Sequence, residues 1–343
     1  MRTTTGWRAD GPAATLRQAP LERRDLRADD IAVRVERCGV CHTDLHSINN
    51  ADGAVVPGHE FTGTVTEIGS AVAGFAVGDA VAVGNIVDSC GQCAMCLAGQ
   101  ENFCHEFPTM TYGGTDRHDG TTTLGGYARE YVVRESFAYA LPDGLDPAAA
   151  APLLCAGVTV WEPLRALGVG PGSRVAVAGL GGLGHLAVKF AVALGAEVAV
   201  ISRTPDKLDD ALELGARDLI VSTEDDRMAA SRESFDVVID TISAAHDLGS
   251  YLRLVAVDGT LAVVGHLGPI SLEAMDLLVG RKKLTAAGSG GRPATRAMLE
   301  FCAEHDLVAD VEVLPSAQVN EALERLGRGD VRYRFVLDMS DLD

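Results

Sequence analysis

"RVAVAGLGGLGHLAVKFAVALGAEVAVISRTPDKLDDALELGA", residues 174–216, reads as strand, glycine turn, helix, strand, helix. Val175 to Ala178 make a short apolar strand of the buried, parallel type. Gly179, Gly181 and Gly184 stand in G-x-G-x-x-G order, with Gly182 and Leu183 completing the turn. The helical run behind them is expected to stop at Gly195 and the next helix at Gly215, both suited to follow a helix C-terminus. Such a turn lets a pyrophosphate approach the backbone at a helix N-terminus, whose free N–H groups favour an anion. Alone the pattern is weak; between strand and helix in a βαβ unit it points to a dinucleotide site.

The end of the second strand, "EVAVIS" (197–202), bears on which dinucleotide. An NAD site has an acidic residue about twenty positions on, bonding the ribose 2′-hydroxyl. Here the strand ends in Ser202, Arg203 and Thr204, with Lys207 close behind, and the first carboxylate is Asp206. A hydroxyl and a guanidinium suit the 2′-phosphate of NADP, because arginine pairs with phosphate in a forked geometry. The competing reading of Arg203 is a solvated surface side chain. Further strands are expected at 235–240, 259–265 and 283–288, with helices over 244–254 and 271–280. The alternation predicts an α/β fold, a Rossmann doubly wound parallel sheet. "LPDGLDPAAAAP" (141–152) is a Pro/Gly/Ala-rich connection and marks a domain boundary.

Composition excludes several classes. Of the 343 residues 47% are apolar and 22% charged, which suits a globular chain long enough for two domains. A formal charge of −19 disfavours nucleic acid and anionic membrane as partners. No apolar run reaches membrane-spanning length; "HLAVKFAVALGAEVAVI" (185–201) is interrupted by Lys189 and Glu197. The N-terminal "MRTTTGWRADGPAATLRQ" lacks the apolar core of a secretory signal, so a cytoplasmic protein is expected.

Cysteine usage then becomes informative. "CGQCAMCLAGQENFC" places Cys90, Cys93, Cys96 and Cys104 within residues 90–104. In a reducing compartment such clusters are more often metal ligands than disulfides. Two-residue gaps let a tight turn aim successive thiolates at one point, with Gly91 and Gly99 supplying backbone freedom. Four thiolates suit a closed, tetrahedral structural zinc; an iron–sulfur cluster is the rival. A second set is more dispersed. "RCGVCHTDLHSINN" (37–50), "VVPGHEFTG" (55–63) and "LLCAGVTVWEP" (153–163) offer Cys41, His59 and Cys155. Three mixed Cys/His ligands that leave a coordination place open are what catalytic zinc needs, although spacing alone does not bring these residues together. Cys38 and Cys302 read as small buried residues. The C-x-x-C of Cys38 and Cys41 lacks the βαβ surroundings of a redox pair.

These features together resemble the zinc-dependent medium-chain alcohol dehydrogenases, and within them the cinnamyl alcohol dehydrogenase-like aldehyde reductases. The matching segments are "CGVCHTDLH", "VPGHE", "VGDAVAVGNIVDSCGQCAMCLAGQENFC", "GGYAREYVV", "AAAAPLLCAGVTVWEPLR", "GVGPGSRVAVAGLGGLGHLAVKFA", "FDVVIDTIS" and "GDVRYRFVLDM". The resemblance implies a mainly-β, GroES-like, zinc-binding catalytic domain from residues 1–150 and 289–343, around an NADP-binding Rossmann domain at 151–288. It implies two zinc ions per chain: a catalytic one on Cys41, His59 and Cys155 with Glu60 as an acidic neighbour, and a structural one on Cys90, Cys93, Cys96 and Cys104. Asp44 becomes the carboxylate that orients the histidine ligand. Thr43 and His46 become the proton relay, and Thr159 and His42 lie by the cofactor. A homodimer is also implied. Two segments depart from the family pattern. "SINNADGA" (47–54) is short and lacks an aromatic residue, and "SGGRPATRAML" (289–299) is compressed. Both border the substrate site in relatives, so a wider or more open pocket is expected.

The function expected is reversible NADP(H)-dependent hydride transfer between a primary alcohol and its aldehyde, aromatic or terpenoid in type. Zinc would serve as Lewis acid and Thr43 with His46 would carry the proton. One rival is an NAD-dependent secondary-alcohol or polyol dehydrogenase. The other is a catalytically silent zinc- and nucleotide-binding sensor or interaction protein.

Overall fold

The computed structural model describes residues 1–342, which fall into two compact units: residues 1–155 with 290–342, and Ala156–Ser289.

The Ala156–Ser289 unit is built on six parallel strands. In spatial order they are Asp218–Val221, Glu197–Ser202, Arg174–Ala178, Phe235–Asp240, Val255–Val263 and Lys283–Ala286. Numbered along the chain this is 3-2-1-4-5-6, the doubly wound order. Val175 to Ala178 and Val198 to Ile201 are buried, as near-continuous apolar strands covered on both faces must be. The helix Gly184–Ala193 follows the first strand, and Gly195 and Gly215 both adopt positive φ. Several details differ from the sequence expectation: the strand expected at 259–265 runs Val255–Val263, and the one expected at 283–288 ends at Ala286. The strand Asp218–Val221 is too short and too charged at its start to stand out. The helix expected from 244 begins only at Leu248, because the Asp247 side chain caps it through the Gly249 N–H. The helix expected over 271–280 spans only Ala274–Leu278, where Glu273 and Asp276 form a reciprocal cap.

The other unit centres on a seven-stranded sheet. Its main path runs Val311–Pro315, Arg334–Asp338, Asp30–Val40, Phe61–Ile68, Ala80–Val83 and Ala138–Ala140, with Glu130–Arg134 also paired to Asp30–Val40. All pairs are antiparallel except Val311–Pro315 with Arg334–Asp338. Inward residues such as Val33, Val35, Phe61, Val81, Tyr131 and Phe335 form one core. Each such side chain contributes roughly 1.5–3 kcal/mol of burial. A small hairpin-like pair, Ile86–Asp88 with Thr109–Met110, carries the segment that contains the cysteine cluster. No helix among the described residues is long and apolar enough to cross a membrane.

Candidate metal centres and nucleotide site

The strand Asp30–Val40 delivers Cys41 to the N-terminus of the helix His42–Asn49. Cys41 is the N-cap, and its N–H donates to Asp44 Oδ2 at 2.9 Å. The same carboxylate receives His59 Nδ1–H on Oδ1 at 2.9 Å. Capping the helix and orienting the histidine are therefore one arrangement. His59 follows Gly58, whose φ is +95° and where an added Cβ would stand 2.6 Å from the Tyr127 ring, so the position admits no side chain. Cys155 ends the short turn Ala151–Leu154, and its Sγ comes within 3.2 Å of His59 Nε2 and 4.0 Å of Cys41 Sγ.

That trio fits zinc. Zn–S near 2.3 Å and Zn–N near 2.0–2.1 Å imply ligand separations of about 3.6–3.8 Å in a tetrahedron. The three ligand atoms lie within 4.8 Å of one another, with no fourth residue in the group. Although burial works against it, Asp44 holds His59 well above its ordinary value, so Nε2 is a strong donor to metal. A hydrogen bond with Cys155 pulls Cys41 well below its ordinary value and pushes Cys155 up, so the pair favours one thiolate, on Cys41. Glu60 is buried, pushed up to about 8 by burial against the pull of Arg334, and its Oε2 has no hydrogen-bond partner. An orphaned buried carboxylate oxygen suits a nearby cation.

The cysteine cluster is equally well formed. Cys90 and Cys96 Sγ atoms stand 3.8 Å apart, the separation tetrahedral zinc asks for. Backbone N–H groups of Cys93, Cys96 and Cys90 donate to the sulfurs of Cys90, Cys93 and Cys104 at 3.4–3.5 Å. The His105 and Cys96 amides draw Cys93 down to about 6, towards the thiolate a metal needs. Cys38 and Cys302 are fully buried and belong to neither group. Among the described residues these two groups are the ones with metal-site geometry.

In the other unit the glycine turn is tightly set. The Gly179 N–H donates to Ile201 at 2.9 Å, and a Cβ on Gly184 would stand 2.0 Å from the Gly179 carbonyl oxygen. His185 Nδ1 bonds the Gly181 carbonyl at 3.0 Å, and Gly182 and Leu183 lead directly into the helix. Ser202 ends its strand and Arg203 is exposed beside it. Lys207 reaches back from this end to the turn, donating to the Leu180 carbonyl at 2.6 Å. Thr159 is buried in the helix Ala156–Ala166, its Oγ1 accepting from the Ser289 N–H at 3.0 Å.

Thr43 Oγ1 lies 3.6 Å from Cys41 Sγ. His46 is exposed one turn on, with Nδ1 3.3 Å from Asn50 Nδ2, and His42 is exposed at the first position of the helix. Three residues beside the Cys41 trio escaped the sequence reading. Arg334 is buried against Glu60. The Tyr127 hydroxyl donates to Asp44 Oδ2 at 3.1 Å. The Tyr112 ring packs 5.6 Å from that of His59, with its hydroxyl on Ser47. An arginine opening the largely apolar strand Arg334–Asp338 was a legible signal for the first; the tyrosines carried none.

An open Cys₂His centre, a closed Cys₄ centre and a dinucleotide-type sheet define a zinc-type dehydrogenase. Residues 27–143 match the alcohol dehydrogenase GroES-like domain, and residues 182–304 match the zinc-binding dehydrogenase domain. The chain is 44% identical to a probable formaldehyde dehydrogenase of Bacillus subtilis (strain 168), over 96% of this chain and 95% of that one. It is also 44% identical to an NADP-dependent alcohol dehydrogenase of Mycolicibacterium smegmatis, over 100% and 99%. The solved cinnamyl alcohol dehydrogenase of Sorghum bicolor superposes with a TM-score of 0.96 at 42% identity, covering 100% of this chain and 99% of that one. The chain belongs to the zinc-binding alcohol dehydrogenase family, and is an oxidoreductase acting on small alcohols and aldehydes.

Proposed function

We propose that this enzyme is an NADP(H)-dependent aldehyde reductase, reversible as an alcohol dehydrogenase, with aromatic or terpenoid-type substrates favoured. The observation that carries the cofactor choice is the tip of the Glu197–Ser202 strand. It offers Ser202, Arg203 and Lys207 and no carboxylate before Asp206. A 2′-phosphate finds donors there, whereas the 2′-hydroxyl of NAD lacks its usual acceptor. The name of the Mycolicibacterium relative agrees with this reading.

When bound, a zinc ion on Cys41, His59 and Cys155 supplies Lewis acidity at the substrate oxygen, and the nicotinamide supplies or accepts hydride. The protein's residues do the rest. Asp44 keeps the His59 proton on Nδ1 and so leaves Nε2 free for metal. In the oxidative direction Thr43 Oγ1 accepts the alcohol's proton as its own hydroxyl proton passes on towards His46, which is exposed on the same helix and exchanges it with water. The glycine turn 179–184 takes the pyrophosphate at the helix N-terminus. Thr159, in the same unit as that turn, is a further cofactor-binding residue. Glu60 is the acidic neighbour of the metal, and the Cys₄ zinc holds its lobe together without chemistry.

A homodimer acting inside the cell completes the reading. The eight cysteines form no disulfide among the described residues, in keeping with a reducing compartment. The Lys283–Ala286 strand ends its sheet with an open edge, and Leu267, Met275 and Leu278 nearby in sequence are exposed. Covering by a second copy is one way to satisfy an open edge and the apolar side chains beside it.

The deciding experiment compares initial rates of NADPH and NADH oxidation over a panel of aromatic, terpenoid and short aliphatic aldehydes. A clear NADPH preference supports the proposal. Faster turnover with NADH, best on ketones or polyols, replaces it with the secondary-alcohol reading.

A further inference from the structure

The Asp44 carboxylate is the most heavily used acceptor in the molecule's Cys₂His centre. Oδ1 receives His59 Nδ1–H at 2.9 Å and the Gly58 N–H at 3.1 Å. Oδ2 receives the Cys41 N–H at 2.9 Å and the Tyr127 hydroxyl at 3.1 Å. Three of these donors belong to the segments that carry Cys41 and His59. The fourth comes from a separate segment, more than sixty residues beyond His59 in the chain. Tyr127 is itself fixed: it is fully buried, its N–H donates to Pro57 at 2.9 Å, and its carbonyl accepts from the Trp7 N–H at 2.7 Å. Burial and the neighbouring Asp44 charge keep the phenol protonated well above its usual range, so it is a permanent donor.

We propose that Tyr127 is a positioning residue for the catalytic metal, acting through Asp44 on the orientation of His59. The inference rests on the reading of Cys41, His59 and Cys155 as zinc ligands. A carboxylate with two oxygens can rotate about its Cβ–Cγ bond unless both are held. On Oδ2 the phenol adds a side-chain bond, from a separate segment of the chain, to the one made by the Cys41 amide. With the carboxylate plane locked, the His59 ring is locked too, and Nε2 keeps its aim at the metal.

Tyr127→Phe removes only the hydroxyl. Tyr131→Phe is the control, since Tyr131 is also buried and donates to the Thr111 carbonyl at 2.8 Å, away from Asp44. Each purified protein is titrated with a chelator while both zinc ions are counted, and the cobalt-substituted visible spectrum is recorded. For Y127F one of two zinc ions is expected to dissociate at about 10–100-fold lower chelator concentration, with a shifted cobalt spectrum. Y131F should lower thermal stability and leave both readouts unchanged. In an Asp44→Asn background, Y127F should add less than two-fold. Tyr127→Met, a flexible apolar replacement, is the second variant if Y127F does not fold. Wild-type zinc retention and an unchanged cobalt spectrum in Y127F overturn the proposal, as does a Y127F that only melts earlier. A wild type holding one zinc per chain would instead sink the ligand assignment beneath it.

Discussion

The guanidinium of Arg334 closes on the carboxylate of Glu60, and both residues are buried beside the Cys41–His59–Cys155 trio. Although burial works against its charge, Arg334 is held above its ordinary value by Glu60, Cys41 and Cys155. The arginine is thus the fixed counter-charge of a site rich in acidic ligands. Taking one partner away leaves a buried charge uncompensated, which typically costs about 3–5 kcal/mol. Arg334→Leu should lose stability of that order in urea unfolding of the zinc-loaded protein. Pairing it with Glu60→Gln should restore more than half. A single variant as stable as wild type would mean that water, not Glu60, solvates Arg334.

Cofactor preference can be moved at one position. Arg203 is exposed at the strand tip, so its replacement leaves the core untouched. A charge-assisted bond to phosphate is worth about 1.5–3 kcal/mol, or on the order of tenfold or more in affinity. Arg203→Asp should therefore shift the NADPH/NADH ratio of kcat/KM towards NADH by at least about tenfold. An unchanged ratio would identify Arg203 as merely solvated and leave the choice to Ser202 and Lys207.

Much of this molecule was legible before its coordinates. Gly179, Gly181 and Gly184 sit between strand and helix because local sterics demand glycine, and local demands leave local signatures. The cysteine spacing of 90–104 likewise encodes its own turn geometry. What escaped was assembled from distant segments. Asp44 meets Tyr127 across 83 positions, and Glu60 meets Arg334 across 274, so neither pair has a spacing to read. Cys155 was named as a ligand, but through the resemblance and not through spacing, since its meeting with His59, 96 positions away, comes from tertiary packing. The strand Asp218–Val221 was missed for another reason, since four residues give too little periodicity to separate strand from loop.

The two metal centres should separate cleanly. Cys155→Ala removes a ligand from the open site and should bring zinc from two ions per chain to one, abolish turnover and leave NADPH binding measurable by fluorescence. Cys104→Ser acts on the closed site. It should also release one zinc, but its main effect should be a lower Tm, because structural zinc contributes folding energy outright. Substantial turnover in Cys155→Ala would remove that residue from the catalytic set.

The assembly prediction turns on Leu278, which is 67% exposed at the end of the helix Ala274–Leu278. It lies close in sequence to the edge strand Lys283–Ala286, whose outer N–H and C=O groups pair with no strand among the described residues. If a second copy covers this region, a carboxylate introduced there meets its own symmetry mate, and like charges at close range are costly. Leu278→Glu should then yield monomers by light scattering, with both zinc ions retained and unfolding at lower urea than the parent. A Leu278→Glu dimer of undiminished stability would place the interface elsewhere on the chain. A wild-type monomer would show that the exposed apolar side chains are solvated singly and that no second copy is required.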